Sequence, residues 1–161
     1  MGIGFARRAA LALAGLSAGV LLAGCGATAP SSSQKEAAAN AAGLIGQLHD
    51  DVTVSQASGS SLAVARRTLG DDSDLLAAFV AYTDFGSCRK LVRDVGATNG
   101  AVARVAVTLR SACGLLERGS RLFSAAAIHE DPRALVEAAR TVDAATPILV
   151  RAKAQLGGAH A

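Results

Sequence analysis

Apolar side chains recur at steps of three and four residues in four separate stretches of the chain, and each stretch reads as the buried face of a helix. Ala41, Ile45, Leu48 and Val52 form the first. Ala78, Ala81, Phe85, Cys88, Val92 and Val95 form the second, and Val102, Val105, Leu109, Ala112, Leu116, Gly119, Phe123 and Ala126 the third. Leu135, Ala138, Val142, Ala145, Leu149, Ala152 and Leu156 complete the set. The punctuation between them fits. Gly70 stops one segment, and Asp71-Asp72-Ser73-Asp74 supplies capping side chains of the sign that a helix N-terminus favours. Gly96 to Gly100 separates the second and third stripes, with Thr98 or Asn99 as the next cap. Asp131-Pro132 places an N-cap before a proline that the first helical turn tolerates, and Gly157-Gly158 ends the last stripe.

Two places resist this reading. Thr53 to Ser61 is rich in serine and β-branched residues, so the first helix either breaks there or continues weakly toward Leu62, Val64 and Leu69. Pro147 falls inside the fourth stripe, which predicts a kink or a helix in two pieces. Thirty-seven alanines and no tryptophan favour helix over strand. Four amphipathic segments with short connections predict an all-α fold, an antiparallel bundle of about four helices.

The N-terminus has a different pattern. Arg7 and Arg8 precede fourteen residues, Ala9 to Leu22, that carry no charge, with Ser17 the one polar side chain. A helix of that length reaches about 21 Å, short of the roughly 30 Å hydrocarbon core, so a cleaved signal is favoured over a permanent span. Leu22-Ala23-Gly24-Cys25 follows at once and resembles the lipobox of bacterial lipoproteins at each position. That resemblance implies a diacylglyceryl group on the Cys25 sulfur, cleavage before Cys25 by lipoprotein-processing enzymes, and an address on the outer face of the cell membrane. Residues 1–24 are then the signal peptide, 25–36 the lipidated cysteine and a flexible tether, and 37–158 the bundle. Arg7-Arg8 also suggests twin-arginine export, which Ala9-Ala10-Leu11 does not strengthen against the general secretory route.

Assigning Cys25 to lipid leaves Cys88 and Cys113, an even pair in a compartment that permits disulfides, and a bridge between them is expected. Its geometry poses a problem. A hairpin turning symmetrically about Thr98 sets Cys88 opposite residue 108, some 7 Å short of Cys113. Either the connection is asymmetric or Gly86 interrupts the second helix. The body of the chain also resembles small helical lipoproteins of actinobacteria, through Cys88-x-x-Leu91-x-x-Asp94-Val95, Ala112-Cys113 and Asp131-Pro132 ahead of an alanine-rich last helix. The resemblance implies two cysteines tying helices together and no particular activity.

Without residues 1–24 the side-chain balance is 14 Lys+Arg against 13 Asp+Glu, which predicts neither a nucleic-acid surface nor a polybasic membrane patch. Ser87-Cys88-Arg89-Lys90 matches S-x-x-K, but its partner motifs are missing and Ser32-Ser33-Gln34-Lys35 matches as well. His49-Asp50-Asp51 and His129-Glu130-Asp131 lack the i, i+4 spacing of paired metal ligands and read as solvated helix ends. Phe79, Tyr82 and Phe85 read as core. No catalytic residue, metal site or cofactor is expected. The expected role is non-enzymatic, interaction with an envelope partner or a structural part of the envelope, with a carrier or sensor of a small apolar ligand as the alternative.

Overall fold

The computed structural model describes residues 31–95 and 100–158. They form six helices: α1 (Ser32–Gly59), α2 (Leu62–Gly70), α3 (Asp72–Asp94), α4 (Gly100–His129), α5 (Pro132–Asp143) and α6 (Thr146–Gly157). The cysteines and the lipobox at Leu22, Ala23, Gly24 and Cys25 divide between these residues and those outside them: the lipobox lies outside.

The fold is the expected bundle. Its four rods are α1, α3, α4 and the broken pair α5–α6, with α2 as a short link lying against α5 at one end. α1 packs on α3 and on α5–α6, and α4 packs on the same two partners from the other side. Every neighbouring pair is antiparallel, as the contacts show: Gln47 to Asp84, Cys88 to Cys113, Thr108 to Gln155, and Gln56 to Asp143. The buried apolar side chains run from Ala37 to Leu156, so the described segment encloses its own core.

α1, α2, α3 and α5 begin where a side chain accepts from free N–H groups of the first turn. Asp71 accepts from the N–H groups of Ser73 (2.9 Å) and Asp74 (3.1 Å), and Asp131 accepts from that of Arg133 (2.8 Å). Ser31 and Gln34 form a reciprocal capping box. That box starts α1 inside the stretch read as tether, and Ser32 to Glu36 are already helical. Burial begins only at Ala37.

Three uncertain points of the pattern now have physical answers. α1 continues through Thr53 to Gly59 because Ser55, Ser58 and Gly59 extend its buried seam at the same spacing with small side chains. A Cβ on Gly59 would lie 2.5 Å from that of Ala139 and 2.9 Å from the Leu135 carbonyl oxygen, so glycine is what lets α5 approach. Pro147 starts α6 rather than kinking a longer helix, and Ala144-Ala145 forms the break. α3 passes unbroken through Gly86, so the hairpin is the asymmetric one. α3 continues six residues beyond Cys88, whereas thirteen residues of α4 precede Cys113. The overhanging turns of α4 bury Val102, Val105 and Ala106, and Thr108 donates to Gln155 of α6 at 2.8 Å.

Candidate functional site

Cys88 and Cys113 are fully buried and joined at disulfide distance, with Cα atoms 5.4 Å apart. Beside them Arg89 meets Glu117 at 3.3 Å, a second tie between α3 and α4. Ser87 and Lys90 of the S-x-x-K match both face solvent. His49-Asp50-Asp51 does not adjoin a helix end, as the spacing suggested, but lies in the middle of α1; His129 ends α4 and Glu130 turns toward α5 with φ +50°. The two groups do not converge, and among the described residues no three potential metal ligands come together.

What α1 and α3 do build is a polar seam that runs from the surface at Gln47 to buried Ser55 and Tyr82. Gln47 donates to Asp84 at 2.6 Å. Next to it Asp51 faces Asp84, and burial followed by repulsion from Asp84 and Asp50 raises the Asp51 carboxyl to about 6. One turn further along, Ser55 Oγ and Tyr82 Oη are buried without a hydrogen bond, as is Asp51 Oδ2. Burial pushes the Tyr82 phenol up to about 12, against a smaller lowering by the Ser55 side chain. The ring is packing material: Phe123 stacks on it at 4.3 Å and Phe85 meets it edge-on at 5.4 Å. Phe79, read as core, instead stands 57% exposed.

Phe79 belongs to an apolar strip. Leu76 (63% exposed), Phe79 and Val80 (56%) follow one another along the outer side of α3, and the register that sets Gly86 against Ser120 brings Ile128 (76%) level with Phe79. A groove of about 510 Å³ runs between α1 and α6, with Ile45, Leu149 and Leu156 as its floor and His49, Asp50 and Lys153 on its rim. Gly46 opens it, since nothing lies within 4 Å of a Cβ built there. A second depression, of about 580 Å³ between the start of α2 and α5, is walled by Leu62, Arg133, Glu137 and Arg140.

Charge is divided along the bundle. The end where the chain enters at Ser31 also holds the last turns of α3, the first half of α4 and all of α6. In that half stand Lys35 on α1, Arg89, Lys90 and Arg93 on α3, Arg104 and Arg110 on α4, and Arg151 and Lys153 on α6, all exposed. Glu36 and Asp94 are the acidic residues beside them, while Asp50, Asp51 and Asp84 meet near mid-height and Glu117 pairs there with Arg89. The other six basic residues and the remaining seven acidic ones lie toward the distal end. The near-neutral total therefore hides a separation that a whole-chain sum does not register.

Against family models, curated proteins and solved structures, the chain matches none. Its surfaces have to be read from their own chemistry.

Proposed function

We propose that this chain is a lipid-anchored protein of the cell envelope, held to the outer face of the membrane through Cys25, that works by binding a protein partner rather than by catalysis. The anchor rests on Leu22-Ala23-Gly24-Cys25 behind its apolar run. Two acyl chains on one residue hold a protein stably on a bilayer where a single chain does not. No helix among the described residues is long and apolar enough to cross a membrane. The observation that carries partner binding is the strip of Leu76, Phe79, Val80 and Ile128, large apolar groups gathered on one face at the end of the bundle away from Ser31.

Two measurements test this reading. Cys25→Ala is expected to block processing or release the protein from the membrane fraction, and unchanged processing and retention contradict the anchor. A photo-crosslinker replacing Phe79 is expected to trap one discrete adduct in cells, while the same group at Ser87 traps none; equal labelling at both positions contradicts a binding face.

The groove between α1 and α6 supports the carrier reading as an alternative. Its volume suits a small ligand, and an apolar floor with Lys153 on the rim fits a chain bearing an acidic head. Lipid extraction from the purified chain, compared with a Gly46→Phe variant that fills the groove, separates the two readings: lipid recovered from the first and absent from the second favours the carrier.

A further inference from the structure

We propose that the basic end of the bundle rests on anionic lipid headgroups, so that the domain stands on the membrane with its acidic, apolar-faced end directed away. The inference rests on the lipid-anchor reading for why a bilayer lies at that end. Five residues lie between Cys25 and Ser31, six Cα–Cα steps, which limits the tether to about 20 Å when fully extended. α4 has 30 residues, so the bundle is about 45 Å long. Ser31 enters the bundle at the same end as the last turn of α3 and the first turn of α4. An anchored chain therefore holds Lys35, Arg93 and Arg104 within reach of the headgroups.

The range of electrostatics then decides the orientation. At physiological ionic strength screening confines the surface potential to about 8 Å, so the bilayer acts on the basic end and not on the acidic residues some four Debye lengths away. Each basic side chain near an anionic surface contributes about 1 kcal/mol, or about fivefold in affinity. A bundle lying on its side would bring Asp71, Asp72 and Asp74 toward the same anionic surface and lose part of that gain. Lipid and charge thus act as two signals on one end of the molecule.

The test uses the lipid-free chain from residue 26 onward, whose core lies wholly between Ala37 and Leu156, sedimented with vesicles at low ionic strength. Vesicles containing phosphatidylglycerol are expected to bind it, vesicles of pure phosphatidylcholine are not, and added salt should release it. Replacing Lys35, Arg93 and Arg104 together by Glu should lower affinity about a hundredfold. The matched replacement of Arg66, Arg133 and Arg140 by Glu, with the same net charge, should change it by less than about twofold. All six side chains are exposed, and circular dichroism checks that both variants fold. Equal losses in the two variants overturn the proposal, as does equal binding to both vesicle types. Binding of a soluble polyanion such as DNA without binding of the vesicles moves the surface to another partner and overturns it as well. Failure here leaves the Cys25→Ala result unaffected, while membrane retention of Cys25→Ala beside a clear difference between the triple variants removes the anchor and keeps the basic surface.

Discussion

At the distal end of the bundle α5 lies close on α1 and α4 because Gly59 and Gly119 present no side chain to it, and Tyr82, Phe85 and Phe123 fill the space between α3 and α4. At the entry end the core is made of Ala37, Ala38, Ala41, Val92, Val102, Val105, Leu109 and Leu156, aliphatic groups of which several keep a little exposure. The distal end holds the aromatic stack and carries the apolar strip; the entry end is packed by aliphatic groups and carries the positive charge. The difference teaches that stability and surface chemistry are distributed unequally along one fold, with the Cys88–Cys113 bridge joining the two regimes.

That contrast can be broken at several points. Phe123→Ala removes the ring stacked on Tyr82 and is expected to lower stability by about 4 kcal/mol, against about 1 kcal/mol for Val102→Ala at the opposite end. Denaturant unfolding measures both, and similar costs would erase the contrast. Replacing Cys88 and Cys113 together by Ser should cost about 3 kcal/mol, since the bridge closes a loop of 25 residues in the unfolded chain. Gly119→Ala drives a methyl group into Val142 and the α5 backbone, and about 2 kcal/mol of overpacking cost is expected in the same assay.

The polar seam gives the smallest effect and a signature in pH. The Asp51 carboxyl stands at about 6 in the folded chain and at 3.8 when unfolded, so the folded state holds a proton that the unfolded chain releases. The stabilisation this provides is complete below pH 4 and lost as the pH rises through 6. Asp51→Asn should flatten that slope and raise stability at pH 7 by about 1 kcal/mol, discounted for the partial exposure of the group. An unchanged slope between pH 4 and 7 would contradict a carboxyl raised by burial and by its acidic neighbours.

Much of the fold was legible because alanine, valine and leucine at three-four spacing mark a buried face whichever helix packs on it. The caps at Asp71 and Asp131 were legible for a local reason, a short acceptor followed by free N–H groups. The continuation of α1 was hidden, since Ser55, Ser58 and Gly59 bury a seam without looking apolar; the S-x-x-Q signature of Ser31 and Gln34 was present in the stretch read as tether. The pairing of Asp51 with Asp84 depends on the register of two helices and on no local signal. The charge separation required knowing which helix ends share one end of the bundle, because Lys35 is far in sequence from Arg93 and Arg104. The exposed strip had a weaker sign, Leu76 and Val80 standing off the seam defined by Ala78, Ala81 and Phe85.

The most direct measurement is energy transfer from the lipidated protein, reconstituted in vesicles, to an acceptor dye carried on headgroups. A donor placed at Ala154, near the end of α6, should transfer strongly, and a donor at Ala125, in the last turns of α4, should transfer weakly. Equal transfer from the two positions, or stronger transfer from Ala125, would contradict a bundle that stands on its basic end.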